Sequence, residues 1–460
     1  MIHKSPHSIF SQDSSISSSE SIIPKLRIIP RKQHGLIRNN ISSCATKITL
    51  DLQRAGYSAF IVGGAVRDLL LGLKPKDFDI ATDATPEQVR ATFRNCRLIG
   101  RRFRLAHVHF GREIIEVATF RGMEDPSQDR PAKDERLMEN GRILRDNVYG
   151  TIEEDALRRD FTINSLYYSV EDFSVIDYAD GLGDLKEGVL RLLGDPETRY
   201  REDPVRMLRA IRFAAKLGFR IDPGCEQPLF EDGDMIRNVP PARLFDEVLK
   251  LFMGGTALQC FEKLRHYQLF GHLFPETEES LSHEEQDFPI TFVNRGMHNT
   301  DVRIREEKPV TPAFLFAVLL WEPARTLSRQ LQDQGESILA SMQQAGSQVI
   351  GRQVQLIAIP RRFSTAVQEI WNLQHRFDQR AGKRPRRLLT HPRFRAAYDF
   401  LLLRAEAGEA DMELAQWWTG FQELDEAGRN QLKGSDGRKA GGKRRRRRRP
   451  RKKATEPGDA

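Results

Sequence analysis

Lys74-Pro75-Lys76-Asp77-Phe78-Asp79-Ile80 follows closely on Ile61-Val62-Gly63-Gly64-Ala65-Val66-Arg67-Asp68, and these two runs decide the fold. Asp77 and Asp79 are two residues apart. Side chains alternate across a strand, so on a strand the two carboxylates point to the same face. Phe78 between them and Ile80-Ala81 after them mark a strand end, not a charged loop. Ala59 to Val62 predicts a short buried strand, Gly63-Gly64 a turn, and Ala65 to Leu71 the opening of a helix. A glycine pair there lets phosphate oxygens approach bare backbone and a helix N-terminus. Two carboxylates on one face beside it can hold magnesium against a nucleoside triphosphate, because magnesium takes few carboxylates and completes its shell with phosphate oxygens and water. Such a pair serves nucleotidyl transfer.

Working outward, Ile41 to Ala55 reads as a helix running into Gly56, and Thr85-Pro86-Glu87 as a helix start with proline in the first position. His107 to Phe110 and Ile114 to Phe120 read as two strands joined by Gly111-Arg112. Strands and helices therefore mix up to about residue 180. Beyond Glu202, apolar residues recur at helical spacing: Val205, Leu208, Ile211 and Ala215, then Leu244, Val248, Leu249 and Phe252. Pro312 to Leu320 and Arg393 to Ala407 are helical in the same way. Residues 277 to 310 are charged and irregular, which predicts a loop or hinge. The fold class expected is α+β, a small mixed-sheet head followed by an all-helical remainder.

A chain of 460 residues has room for two to four units. It contains no run of about 18 apolar residues, so no membrane span is expected, and no secretory leader pattern opens it. Cys44, Cys96, Cys225 and Cys260 are scattered, with neither zinc nor disulfide spacing, which suits a reducing, cytoplasmic setting. The net charge of +8 is unevenly placed. Residues 437 to 453 hold 12 Lys or Arg and no acid, leaving 60 bases against 64 acids elsewhere. The body is thus mildly acidic, and nucleic-acid binding there must use local patches. Residues 1 to 33, rich in Ser and Ile, predict a disordered leader, an organelle transit peptide being the weaker reading. The tail from Leu432, glycine-rich and then basic, is expected to be disordered and to bind RNA nonspecifically through Arg444, Arg445, Arg446 and their neighbours; nuclear targeting is its other reading.

Further residues carry chemistry. Glu116, in Ile114-Ile-Glu-Val-Ala, lies on the face opposite Ile115 and Val117, and a Glu there needs a cation or an Arg partner. Asp160, in Arg158-Arg-Asp-Phe-Thr-Ile-Asn-Ser, is the other candidate for a third acid, and spacing does not choose between them. Pro204 suits the first turn of a helix and Asp203 its cap, with Arg206 and Arg209 following at three-residue steps to form a ridge that can hydrogen-bond a base edge. Arg101, Arg102 and Arg104 form a basic strip suited to RNA phosphates. His107 and His109 share a strand face but have no third ligand nearby, so a structural or RNA-facing role is expected.

Val62-Gly-Gly-Ala-Val-Arg-Asp, Asp77-Phe-Asp, Arg158-Arg-Asp-Phe-Thr-Ile-Asn and Glu202-Asp-Pro-Val-Arg-Met-Leu-Arg together resemble the ordered motifs of the class II tRNA nucleotidyltransferase and bacterial poly(A) polymerase family. Their order and intervals fit across residues 56 to 255. Leu98-Ile-Gly-Arg-Arg-Phe-Arg-Leu-Ala-His-Val-His-Phe resembles the signature of the poly(A) polymerase branch, as do His391-Pro-Arg-Phe-Arg-Ala-Ala-Tyr-Asp-Phe and the Arg-rich tail. The resemblance implies a template-independent enzyme that transfers AMP from ATP to RNA 3′ ends and releases pyrophosphate, using two Mg2+ ions. It implies Asp77 and Asp79 as metal ligands and catalytic residues with Asp160 or Glu116. Gly63 and Gly64 would hold phosphate, Arg67 and Asp68 would bind the nucleotide, Arg159, Asp160 and Asn164 would contact ribose and triphosphate, and Asp203, Arg206 and Arg209 would select the base. The implied layout is a nucleotidyltransferase head at 34–180, a helical neck at 181–255 and a helical body and RNA-binding region at 256–431. RNA-decay proteins are implied partners, and a monomer is the default state. The alternatives are a CCA-adding tRNA nucleotidyltransferase and a non-catalytic RNA-binding protein on an inactive head. Segment 121 to 145 maps onto no motif.

Overall fold

The structure, a computed structural model, describes residues 26–100, 104–122, 137–139, 142–145, 148–283 and 288–425. It divides into two compact units. One runs to Asp203 and takes back Phe219–Cys225; the other holds Pro204–Gly218 and the chain from Glu226 onward.

The strands of the first unit are β1 (Arg27–Ile29), β2 (Ala59–Val62), β3 (Asp79–Thr82), β4 (Cys96–Ile99), β5 (Leu105–Phe110), β6 (Glu113–Thr119), β7 (Leu137–Glu139), β8 (Arg142–Arg145), β9 (Leu166–Tyr168), β10 (Val175–Asp177), β11 (Val189–Leu190) and β12 (Arg220–Ile221). Its helices include α1 (Ser43–Arg54), α2 (Gly64–Leu70), α3 (Pro86–Thr92), α4 (Ile152–Arg158), α5 (Gly181–Glu187) and α6 (Pro196–Glu202). One mixed sheet runs β1-β10-β9-β2-β3-β6-β5-β4. Within it β3 and β6 pair in parallel, and the other neighbours are antiparallel. A parallel pair needs a crossover; here α3, β4 and β5 supply it.

Local chemistry sets the helix starts. Ser42 Oγ accepts the Cys44 and Ala45 N–H groups ahead of α1. Thr85 with Gln88, and Thr151 with Glu154, form reciprocal capping boxes that open α3 and α4. The sheet's two faces then diverge. Ile61, Ile80, Val117 and Ala106 are cross-strand partners and fully buried. With α1 and α3 against the sheet they form its apolar floor, each large side chain contributing roughly 2 kcal/mol. On the other face, Val62, Ala81, Phe120, Tyr167 and Ala156 of α4 make a small second core. This core covers the β9–β2 side of the face, and the row on β3, β6 and β5 keeps contact with solvent.

Several sequence expectations shift. Of the disordered leader expected over residues 1–33, residues 1–25 lie outside the described residues, and Arg27–Ile29 forms β1 on the sheet edge beside β10, helped by an Arg27–Asp180 ion pair. Its three residues carry too little periodicity to stand out beside a Ser-rich run. The first unit also continues past the expected boundary at 180, because β11 pairs with β12 and the Leu192 N–H donates to Cys225 Sγ. Asp203 is the C-cap of α6, and Pro204 is the residue at the N-cap of α7 (Val205–Leu217), which carries Arg206 and Arg209.

Every regular element described in the second unit is helical. The loop expected over 277–310 is instead helical over Pro275–Ser282 and Phe288–Arg305. Phe292, Val293, Met297, Thr300 and Asp301 of the latter are buried. The charged appearance misled because Asp301 is an interior cap: its carboxylate accepts the Ala257 and Leu258 N–H groups at 2.6 and 3.1 Å, opening helix Ala257–His266. Farther along, Phe377, Leu388, Phe394, Leu401 and Trp418 share one core, and Trp418 Nε1–H donates to the Phe377 carbonyl at 2.9 Å.

Candidate active site

The site is built on a cross-strand row. Val62 pairs with Asp79, Asp79 with Glu116, Glu116 with His107, and His107 with Arg97. In-register residues share a face, so Asp79, Glu116 and His107 stand side by side on the open half of the sheet. Asp77 precedes β3; burial alternates from exposed Asp77 through buried Phe78 to exposed Asp79 and buried Ile80, so both acids lie on that same side. His107 Nε2 is 3.4 Å from Glu116 Oε2. Desolvation and the adjacent Glu116, with a smaller push from Asp77, raise the Asp79 carboxyl to about 6, while Arg159 and His107 pull the other way.

The glycine turn sits at the same end of β2. Gly63 has φ +75° and ψ −131°, a conformation open to glycine, and its N–H donates to the Leu166 carbonyl at 3.0 Å. A Cβ on Gly63 would lie 3.5 Å from Arg159 Nη1. Arg159 is anchored from behind: Nη2 donates to Asp155 Oδ2 at 2.8 Å, Nε to the Tyr167 hydroxyl at 3.1 Å, and Tyr167 in turn donates to Asp155 Oδ2 at 2.6 Å. Burial opposes the Asp155 charge, but Arg159 and Tyr167 overcome it and hold its carboxyl below the usual range. Burial and Asp155 push the Tyr167 hydroxyl well up, so it stays protonated. Nη1 of Arg159, which makes no hydrogen bond among the described residues, is the nitrogen left facing the glycine turn.

A second network runs beneath. Arg67 is buried; its Nε and Nη2 donate to Asp68 Oδ1 at 2.8 and 2.5 Å, and its Nη1 to Asn164 Oδ1 at 2.6 Å. Asn164 Nδ2 then donates to Asp160 Oδ1 at 3.1 Å, and Asp160 Oδ1 also accepts the Phe161 N–H. Arg67, Asp68, Asn164 and Asp160 thus form one chain of contacts, whereas Glu116 is the acid that stands beside Asp79. Arg206 and Arg209 lie one helical step apart on α7, Arg206 buried and Arg209 over the Phe213 ring. Arg104 is exposed and pairs with Glu87 at 2.9 Å. Arg101, Arg102, Arg444, Arg445 and Arg446 lie outside the described residues.

Sequence reasoning did not single out Asp155, Tyr167 or the His107–Glu116 contact. The Thr151 capping box fixes the phase of α4, and Asp155 and Arg159 then fall at i, i+4, which was a readable signal. The hairpin about Gly111-Arg112 sets His107 opposite Glu116 and was readable too, whereas the β2–β9 register that brings Tyr167 alongside Val62 is long-range and left no signal.

Among the described residues, no group of three or more His, Cys, Asp or Glu is placed to enclose a metal. What Asp77, Asp79 and Glu116 offer is a sparse carboxylate set, which suits magnesium when phosphate oxygens and water complete its shell. The crowding that raises Asp79 is what a bound cation would relieve.

Carboxylates in a row on a mixed sheet, beside a glycine turn and a braced arginine, define a nucleotidyltransferase head. Residues 59–191 match the family described as "Poly A polymerase head domain", 218–281 "Probable RNA and SrmB- binding site of polymerase A", and 334–453 "Polymerase A arginine-rich C-terminus". Poly(A) polymerase I of Salmonella typhi is 50% identical over 418 residues, 90% of each chain. The CCA-adding enzyme of Lactobacillus helveticus is 34% identical over 226 residues, 49% of this chain and 53% of that enzyme. The crystal structure of the Bacillus stearothermophilus CCA-adding enzyme in complex with CTP matches with a TM-score of 0.53 at 25% identity, covering 82% of this chain and 80% of that one. This chain belongs to the bacterial poly(A) polymerase family and is a polynucleotide adenylyltransferase. No helix among the described residues is long and apolar enough to cross a membrane.

Proposed function

We propose that the open row of Asp77, Asp79 and Glu116 is where AMP passes from ATP to the 3′-hydroxyl of an RNA, and that these acids hold two magnesium ions there. The bond from the 3′-oxygen to the α-phosphorus forms, the bond from that phosphorus to the β-bridging oxygen breaks, the hydroxyl proton is lost and pyrophosphate leaves. Bound magnesium would supply charge neutralisation of the triphosphate and acidify the hydroxyl. Arg159, fixed by Asp155 and Tyr167, presents Nη1 beside the bare Gly63-Gly64 backbone and binds triphosphate oxygens there. Arg67 and Asp68 act through Asn164, which with Asp160 positions the ribose. On the family motif they match, Asp203, Arg206 and Arg209 read the adenine, and Arg101, Arg102, Arg104 and the Arg444–Arg446 run bind RNA. The first unit carries the chemistry and the helical remainder holds the RNA. Four free cysteines accord with a reducing, cytoplasmic setting. A monomer that RNA-decay proteins recruit completes the proposal.

The observation that carries this reading is the in-register placement of Asp79 and Glu116, with Asp79 raised to about 6 by desolvation and, after it, by that neighbour. The test supplies the purified protein with a generic RNA and each nucleotide singly. Long A tails are expected; CTP addition to a truncated tRNA instead would overturn the assignment. Asp77→Asn or Asp79→Asn should abolish incorporation while RNA still binds, and normal incorporation by either removes the metal assignment. Glu116→Gln should cost on the order of a thousandfold in kcat, and Asp160→Asn far less; the reverse ranking would make Asp160 the third acid.

A further inference from the structure

We infer that residues 372–391 of the second unit form an ordered RNA subsite, separate from the basic tail, in which exposed cations track the phosphates and an adjoining cleft takes a base. The inference rests on the polymerase reading only in that an RNA primer must be held somewhere.

Charge is the first argument. Residues 376–395 hold eight Lys or Arg against the single acid Asp378. Outside this stretch and residues 437–453, the chain has 52 Lys and Arg against 63 Asp and Glu, a net charge of −11. The patch is therefore the ordered exception in an acidic body. Phe377, Leu388 and Phe394 are drawn into the core around Trp418, which turns the polar residues between them outward. Arg393 and Arg395 are neutralised by Glu369 and Asp399. Arg380, Lys383, Arg384 and Arg387 are exposed and make no ion pair among the described residues. Like charges so crowded repel one another unless an anion lies across them.

The cleft is the second argument. It has a volume of about 460 Å³, within the range of small-ligand pockets; Leu339, Leu373 and Glu369, whose carboxylate is held by Arg393 at 2.8 Å, form part of its wall, and Asn372, His375, Arg376, Gln379 and His391 line the rest. These are the side chains that hydrogen-bond base edges. The Arg393 N–H donates to His391 Nδ1 at 3.1 Å, so the neutral ring carries its proton on Nε2, free to donate. Burial and Arg376 lower the His375 pKa and favour its neutral ring. Cations beside a cleft lined with amides and imidazoles fit single-stranded RNA better than an acidic protein surface, which would leave those groups without partners.

The full-length chain carrying Arg380→Gln, Lys383→Gln, Arg384→Gln and Arg387→Gln together tests the phosphate track. Its binding to an oligo(A) about 20 nucleotides long should weaken at least tenfold at low salt, and the slope of log affinity against log salt should flatten by about 2–3. KM for RNA should rise while kcat at saturating RNA stays put, so loss of this subsite is distinguishable from failure of the polymerase reading, in which neither protein would incorporate AMP. Asn372→Ala with Gln379→Ala should weaken oligo(A) binding by about five- to tenfold without changing the salt slope, and leave an abasic oligomer unaffected. Unchanged affinity and slope in the fourfold variant would overturn the subsite and leave the patch to an acidic protein. Equal losses on oligo(A) and the abasic oligomer would overturn the base cleft.

Discussion

Asp79 shows how function sets the terms for a single residue. Its ordinary pKa of 3.8 rises to about 6 in the folded chain. Between those values the native state holds a proton that the unfolded state has lost, so stability falls as pH rises through that window. Above it the charged group is a fixed burden on the metal-free protein. Asp79→Asn should therefore melt at a higher temperature than the parent at pH 8 with chelator present, and the gap should close by about pH 4. Thermal melts across that range check it; a gap that widens toward low pH would contradict the sign. The acid pair was legible in the sequence because alternation and an apolar flank are local signals. The placement of the Arg159–Tyr167 brace beside Gly63 was not, because it depends on β2 and β9 pairing across about a hundred residues of chain.

Elements place these residues, and their ends are where substitution should tell. Gly63→Ala would force a Cβ into a positive-φ position 3.5 Å from Arg159 Nη1. The strain should cost about 1–3 kcal/mol and show as a lower melting temperature together with a raised KM for ATP. In the second unit, Asp301→Ala removes the acceptors of two N–H groups at the start of helix Ala257–His266. A loss of roughly 1–3 kcal/mol in urea unfolding is expected, with nucleotide incorporation unchanged at saturating RNA. The strands and helices around the two glycines could be read almost to the residue, since Gly63, Pro86 and Gly111 punctuate them. Helix Phe288–Arg305 could not, because a helix that buries Thr300 and Asp301 hides its inward face among polar letters. The parallel β3–β6 pair was equally opaque: sequence shows two strands, not which neighbour each will choose.

At the scale of the whole molecule, charge is partitioned between an acidic body and basic patches, and the tail from residue 437 carries more positive charge than the net. Deleting residues 437–460 should weaken RNA binding mainly at low salt, flatten the salt dependence and leave kcat on saturating primer intact; binding measured over a salt series would show an unchanged slope if the tail takes no part. The chain also crosses between its two units more than once: Phe219–Cys225 returns to the first unit after Pro204–Gly218 has joined the second. That return strand β12 gives β11 its partner, the Cys225 sulfur receives the Leu192 N–H, and the Cys225 carbonyl receives the Tyr200 hydroxyl. A catalytic fragment cut at Asp203 would lose all three, so the smallest autonomous enzyme must carry helix α7 with it. The two halves are spliced rather than strung together, and a single cut anywhere in the chain leaves at least one of them short of a piece of itself.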